Sequence, residues 1–254
     1  SKSTYNLIKK VFTNNSFAGK LGDYRSFDDL DNNIQIQLFG LGDKAKFNSI
    51  IFNKVIDEII KKILKTKIKT LSMNAENIIS SKAKISYEML ITAIENAKYK
   101  YLYKKEKEII NLKTCVFSSK STINTNKFNE YVKSGKALSN GISLAKDLGN
   151  TPPNICTPSF LSSEAKKLKK INKLIKVTVI EEKKMKALGM EAFLAVSRGS
   201  KEPGKIVTIE YMPIKKKPPI VLVGKGITFD TGGISIKPSA NMGEMKFDMS
   251  GAGS

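Results

Sequence analysis

An alternation of helical and extended apolar patterns constrains the fold of this chain more than any other feature. Apolar residues recur at helical spacing over residues 47–64, and a short strand candidate follows directly at 68–73. A second pair follows, with a helix over about 87–101 and a strand over 114–117. This order predicts an α/β domain over residues 1–125.

A second domain is predicted beyond a proline-rich turn. Spaced apolar residues indicate a long helix over 126–148, and it ends at GNTPPN because consecutive prolines stop a helix. We assign residues 126–155 to this linking helix and turn. Another helix is expected to begin at Thr157 and Pro158, followed by strands at 174–180, 205–212 and 219–223. Residues 156–254 are therefore expected to begin a second α/β domain with a mixed sheet.

The absence of histidine excludes several kinds of site. Ser-His-Asp and Cys-His nucleophilic systems and HExxH zinc peptidases all depend on imidazole. The two cysteines, Cys115 and Cys156, lie far apart and lack CxxC spacing, so we interpret them as buried small apolar groups rather than ligands or a disulfide. A metal site in this chain must use carboxylates, lysine, backbone or water.

The net charge of +21 raises the alternative of a nucleic-acid partner. Only Arg25 and Arg198 are arginines, and lysine lacks the planar fork that reads bases. The lysines are scattered along the chain, which favours a general bias in composition and keeps nucleic acid as an unfavoured alternative. Because no apolar run suits a signal peptide or a membrane span, we expect a cytoplasmic protein without membrane contact.

The residues that can carry chemistry concentrate in residues 218–254, PPIVLVGKGITFDTGGISIKPSANMGEMKFDMSGAGS. The apolar run at 220–223, bounded by Pro219 and Gly224, predicts a buried strand. Functional residues of open α/β sheets tend to follow the carboxyl ends of such strands. The candidates after this strand are two carboxylates and two amines, from Lys225, Asp230, Lys237 and Asp248. Intervening glycines permit tight turns and close approach of the backbone.

The sequence of this segment also admits other interpretations. The spacing matches neither GxxxxGK[ST] nor GxGxxG, so a nucleotide site is not favoured. Lys225 and Asp230 could form an ordinary surface ion pair on a glycine-rich loop, which would contribute little. Met245 by itself would be interpreted as core packing, because methionine usually fills gaps in cores.

Two stretches in this segment resemble the signatures of the cytosol (leucyl) aminopeptidase family. They are VGKGITFDTGGISIK at 223–237 and NMGEMKFDMSGA at 241–252, and GNTPPNICTP at 149–158 resembles the family's interdomain segment. The resemblance is strong over about 126–254 and weak before it. It implies that residues 156–254 form the N-terminal part of a metallopeptidase catalytic domain.

The resemblance also implies roles for five residues. Asp230 would bridge two divalent metal ions, Mn²⁺ or Zn²⁺ with Mg²⁺ possible, and Asp248 and the Lys225 amine would bind one of them. Lys225 must then be neutral, a form that burial and a nearby dication both favour. Lys237 would be the catalytic residue, protonated to stabilise the oxyanion. Met245 would line the pocket for the first side chain, and the other four residues would also contact the substrate.

The chain departs from the family in one respect. The family's NTDAEGR motif, which supplies further carboxylates and an arginine, does not occur here. We therefore expect that the chain lacks the C-terminal part of the catalytic domain and is inactive alone. The family implies peptide substrates, a preference for leucine and a homo-oligomer, a hexamer. The alternatives are a non-enzymatic nucleic-acid-binding protein that uses the basic N-terminal domain, and the product of a decayed gene.

Overall fold

A computed structural model describes residues 2–14, 17–76, 78–79, 84–102, 110–119, 123–214 and 217–254. The chain divides into two compact units, Ser1–Asn140 and Gly141–Ser254. The division falls within a long helix, Thr125–Asn150. Helices and short strands alternate through both units, which confirms the α/β class.

The first unit contains four α-helical segments, a 3₁₀ turn and two strand pairs among its described residues. In chain order these are α1 (Lys2–Thr13), β1 (Tyr24–Asp29), a 3₁₀ turn (Leu30–Asn32), β2 (Ile34–Phe39), α2 (Ser49–Leu64), β3 (Thr70–Asn74), α3 (Tyr87–Ala97), β4 (Thr114–Ser118) and the first part of α4 (Thr125–Asn150). Strands β1 and β2 pair antiparallel, whereas β3 and β4 pair parallel. The sequence predicted α2, β3, α3 and β4 to within a few residues.

Helix α2 supplies much of the core of this unit. Asn48 caps α2, because its side-chain oxygen accepts hydrogen bonds from the backbone N–H groups of Ile50 and Ile51. One face of α2 is buried; it comprises Phe52, Val55, Ile56, Ile59, Ile60 and Ile63. Residues Leu71, Met73, Cys115 and Phe117 of the β3–β4 pair pack against the same core. The 3.6-residue apolar period of α2 therefore corresponds to a buried helix face.

The hairpin β1–β2 and helix α1 were not predicted. Strand β1 has the sequence YRSFDD, so polar residues obscure an alternating apolar pattern. A tertiary contact stabilises it instead, because the buried Asp29 carboxylate accepts a hydrogen bond from Thr4 in addition to one from the nearby Asn32. Contacts of this kind join residues distant in sequence and cannot be found from local periodicity.

The second unit contains the end of α4 followed by α5 (Pro158–Lys167), a 3₁₀ turn (Leu168–Lys170), β5 (Ile175–Glu181), α6 (Glu182–Ala187), α7 (Glu191–Ser197), β6 (Lys205–Tyr211), a second 3₁₀ segment (Met242–Phe247) and α8 (Ser250–Gly253). Helix α5 begins at Pro158 as predicted, and Thr157 caps it because the Thr157 hydroxyl accepts a hydrogen bond from the N–H of Phe160. Strands β5 and β6 pair antiparallel, with Ile175 opposite Tyr211. Cys156 is buried and Cys115 half-buried, and both are free thiols.

The strand predicted at 219–223 is wrong. These residues have no regular secondary structure, and Ile220 and Leu222 are 92% and 91% exposed. A strand needs a neighbour to satisfy its backbone groups, and β6 pairs only with β5 in the described part of this unit. The described strands of this unit therefore form an antiparallel pair in place of the expected mixed sheet.

None of the helices in the described ranges combines the length and the apolar character needed to cross a bilayer.

Candidate active site

The four charged residues singled out by the sequence form one cluster in the second unit. The Nζ atom of Lys225 lies 2.6 Å from Oδ2 of Asp248 and 3.4 Å from Oδ2 of Asp230. The Nζ atom of Lys237 lies 3.2 Å from the same Asp230 oxygen. Both carboxylates thus contact the Lys225 ammonium. The cluster is a network of three ion pairs, whereas the sequence alone suggested a single surface ion pair between Lys225 and Asp230.

The loop between Asp230 and Lys237 is shaped by glycines. The backbone N–H of Gly232 donates to Oδ1 of Asp230 at 2.9 Å, and the N–H of Lys237 donates to the carbonyl of Thr231 at 2.9 Å. Gly232 has a φ of +92°, and a Cβ atom there would lie 2.5 Å from the carbonyl oxygen of Ser235. Only glycine fits this position, so the turn that orients the Asp230 carboxylate depends on it.

A close approach between two backbone segments, at Gly224 and at Gly251, positions Lys225. The N–H of Ala252 in α8 donates to the Lys225 carbonyl at 2.8 Å. A Cβ atom at Gly224 would lie 2.1 Å from the carbonyl oxygen of Gly251. Sequence reasoning noted Gly224 but missed Gly251 and Ala252, for which the run of small residues SGAG in α8 was the available signal. These contacts keep Lys225 next to the segment that carries Asp248.

The Asp230 carboxyl is the most strongly perturbed acid of the cluster. The backbone N–H of Gly232 and then the Lys237 ammonium lower the pKa of Asp230 to about 2. Both donors favour the charged form of the carboxylate. Asp230 is therefore ionised over the whole physiological pH range, as a metal-binding carboxylate must be.

Lys225 differs from the expectation drawn from the sequence. Its side chain is half-exposed, so burial does not drive it to the neutral form. The hydrogen bond to Asp248 instead raises the pKa of Lys225 above its usual value. Lys225 is thus an ammonium group that lies against both carboxylates and offsets part of their charge.

Lys237 and Met245 are in direct contact. The Lys237 ammonium donates to the Met245 sulfur at 3.0 Å, and Met245 lies in the 3₁₀ segment Met242–Phe247, partly buried. All five residues predicted from the sequence are thereby brought together in one unit.

The donors of the cluster fit part of a metal-ligand set. Two carboxylates converge on the Lys225 ammonium, and oxygen-rich donors of this kind suit Mn²⁺ or Mg²⁺, while Zn²⁺ also accepts them. Nowhere in the ranges that the structure describes do three or more His, Cys, Asp or Glu side chains group to hold an ion. The donors that converge here are therefore too few to surround two ions.

Known proteins share both the sequence and the fold. Residues 143–254 match the family described as "Cytosol aminopeptidase family, catalytic domain". A "Probable cytosol aminopeptidase" of Paraburkholderia phytofirmans is 38% identical over 261 aligned positions, which cover 100% of this chain and 51% of the relative. The sequence similarity thus extends through the N-terminal unit, and the chain spans about half the length of the curated relatives it matches.

Two solved structures support the fold. A tomato leucine aminopeptidase mutant has a TM-score of 0.77 at 22% identity, and 99% of this chain covers 48% of that chain. The bottromycin maturation enzyme BotP, solved in complex with Mn, has a TM-score of 0.73 at 24% identity, with 95% of this chain covering 50% of it. The catalytic-domain match and the sequence relatives establish that this chain belongs to the cytosol aminopeptidase family.

Proposed function

We propose that this chain supplies part of the active site of a metal-dependent aminopeptidase that releases amino-terminal residues, preferably leucine, from peptides. The observation that carries the proposal is the convergence of Lys225, Asp230, Lys237 and Asp248. Two carboxylates and two amines within hydrogen-bonding distance of one another are the groups that metal-assisted hydrolysis requires.

Asp230, Asp248 and Lys225 would hold the metal. A divalent ion bound there would act as a Lewis acid toward the peptide carbonyl. Asp230 is already ionised, whereas Lys225 must release its proton before its amine can coordinate. Mn²⁺ is the first ion to test because BotP was solved with Mn, and Zn²⁺ and Mg²⁺ are the alternatives.

Lys237 would be the catalytic residue. Its ammonium, anchored by Asp230, would donate to the substrate oxygen as negative charge develops on it. Met245 would line the pocket for the first side chain of the substrate, where a flexible thioether suits leucine. The free amine of the substrate would interact with the metal-binding carboxylates, which would restrict cleavage to the amino terminus.

The 254-residue chain alone is proposed to be inactive. Its cluster contributes two carboxylates, and a metal centre with few ligands binds its ions weakly. Incubation of this chain with Mn²⁺ and a leucyl amide should release no leucine. Turnover that a chelator abolishes would overturn this proposal.

The activity of the site itself is tested in a chimera. Residues 1–254 replace the corresponding first half of the Paraburkholderia phytofirmans relative, and Mn²⁺-dependent release of leucine from leucyl amide is measured. Lys237→Met should lower kcat by about 100-fold or more, the usual loss for an oxyanion donor. The control Lys246→Met removes the same charge from a lysine that stacks on Phe247 and should retain activity. A folded, Mn²⁺-binding chimera without turnover would refute the assignment.

The remaining proposals concern the cellular location and the oligomeric state of the protein. We propose a cytoplasmic location, in keeping with the relatives' name, and a homo-oligomer, a hexamer, as in the family that the sequence resembles. The comparisons give no support to a nucleic-acid-binding role.

A further inference from the structure

The Lys237 side chain is anchored by two chemically different groups. Its ammonium lies 3.2 Å from Oδ2 of Asp230 and 3.0 Å from the sulfur of Met245. Its backbone N–H is separately fixed by the Thr231 carbonyl. The side chain itself is about one-third exposed, at 36%, and its long stem would otherwise sample many rotamers.

We infer that Met245 is a positioning residue for the Lys237 ammonium, a role that rests on the proposed catalytic function of Lys237. A lysine ammonium has three N–H donors, and the contacts with Asp230 and Met245 direct two of them. The third donor then has a defined direction in which to meet a ligand oxygen.

The choice of sulfur follows from its chemistry. A thioether is uncharged and accepts hydrogen bonds weakly, so it orients the ammonium without cancelling its charge. A second carboxylate at this position would orient Lys237 equally well but would neutralise the charge that the reaction uses. A purely apolar residue would fill the space and leave the ammonium held at one point only.

The backbone around Met245 links the two halves of the cluster. The N–H of Asp248 donates to the carbonyl of Met245 at 3.2 Å, so one 3₁₀ turn carries both residues. The same turn therefore sets Asp248 against Lys225 and the Met245 sulfur against Lys237. A displacement of this turn would disturb both contacts together.

Site-resolved acetylation of the metal-free chain tests this inference. The protein is treated with a limiting amount of an amine-acetylating reagent, and the extent of modification at Lys237 is measured by peptide mass spectrometry relative to the exposed Lys176. Met245→Leu keeps similar volume but removes the acceptor. Acetylation of Lys237 should become about two- to fivefold faster, as expected for loss of one weak hydrogen bond.

Two further variants distinguish positioning from packing. Met245→Gln restores an acceptor at similar length and should return the rate at Lys237 toward that of the unmodified sequence. Met242→Leu makes the same change at the start of the same turn and should have no effect. An unchanged rate in Met245→Leu, or equal rates in the Leu and Gln variants, would overturn the inference. Because this assay needs neither metal nor substrate, its result is independent of whether the chimera is active.

Discussion

The Lys225 ammonium lies 2.6 Å from Oδ2 of Asp248, although 23 positions separate the two residues. The contact depends on α8, where Ala252 binds the Lys225 carbonyl, and on Gly224, where no side chain fits. In the absence of metal, the ammonium takes the position between two carboxylates in which a cation is electrostatically favoured. The two carboxylates that would bind a divalent ion are thus balanced in charge by two ammonium groups of the same cluster, those of Lys225 and Lys237.

Loss of the Asp248 charge should lower the pKa of Lys225. The hydrogen bond to Asp248 is the main reason that this pKa is raised, so Asp248→Asn should return it toward the usual lysine value. The titration is followed by NMR at the lysine ε-carbon in the metal-free chain. Glu244→Gln removes an equal charge from the same 3₁₀ segment and should change nothing. An unaltered titration in Asp248→Asn would show that the contact is absent in solution.

The folding stability of the chain at acidic pH should depend on the ionisation of Asp230. Its folded-state pKa of about 2 lies below the value of about 3.9 for an unfolded aspartate, so its stabilising contribution is present above about pH 4. This contribution is lost as the pH falls from about 4 toward 2. Lys237→Met should raise the pKa of Asp230 and reduce the loss, as measured by carboxyl-carbon NMR and by urea unfolding at several pH values. Lys246→Met, the matched control, should leave the pKa of Asp230 at about 2.

The sequence predicted the helices more completely than it predicted the contacts within the site. Caps and apolar periods are local, so α2, α3 and α5 were predicted to within a few residues at their starts. The strand predicted at 219–223 is absent from the structure, because strand formation depends on a pairing neighbour that periodicity does not reveal. The contact between Lys225 and Asp248 had no local signal either; the two residues were grouped by their position after the expected strand and by the resemblance to a family. The hydrogen bond from Lys237 to Met245 was not anticipated at all, since it depends on side-chain direction.

The core of the first unit should be sensitive to truncation on one face of α2 only. Ile60 is fully buried, so Ile60→Ala should cost about 2–5 kcal/mol of unfolding free energy through lost burial and a residual cavity. Ile50 is 78% exposed on the same helix, and Ile50→Ala should change stability by no more than about 0.5 kcal/mol. Urea unfolding of the two variants gives the comparison. Equal costs would mean that α2 packs by a different face.

Gly232 and Gly233 offer a matched test of the loop that orients Asp230. Both have positive φ values, +92° and +79°, so alanine at either should cost about 1–3 kcal/mol in backbone strain. Only at Gly232 would the new Cβ atom also meet the Ser235 carbonyl oxygen, at 2.5 Å, whereas nothing lies within 4 Å at Gly233.

The two alanine variants should therefore differ in the pKa of Asp230. Gly232→Ala must move the backbone N–H that is the largest cause of the low pKa, so this pKa should rise clearly above about 2. Gly233→Ala should leave it nearly unchanged while reducing thermal stability, because the Gly232 N–H keeps its place. Carboxyl-carbon NMR titration of both variants measures the difference. The same pKa in both would mean that the Gly232 hydrogen bond does not set the charge state of Asp230, and the loop would then orient this carboxylate through Lys237 alone.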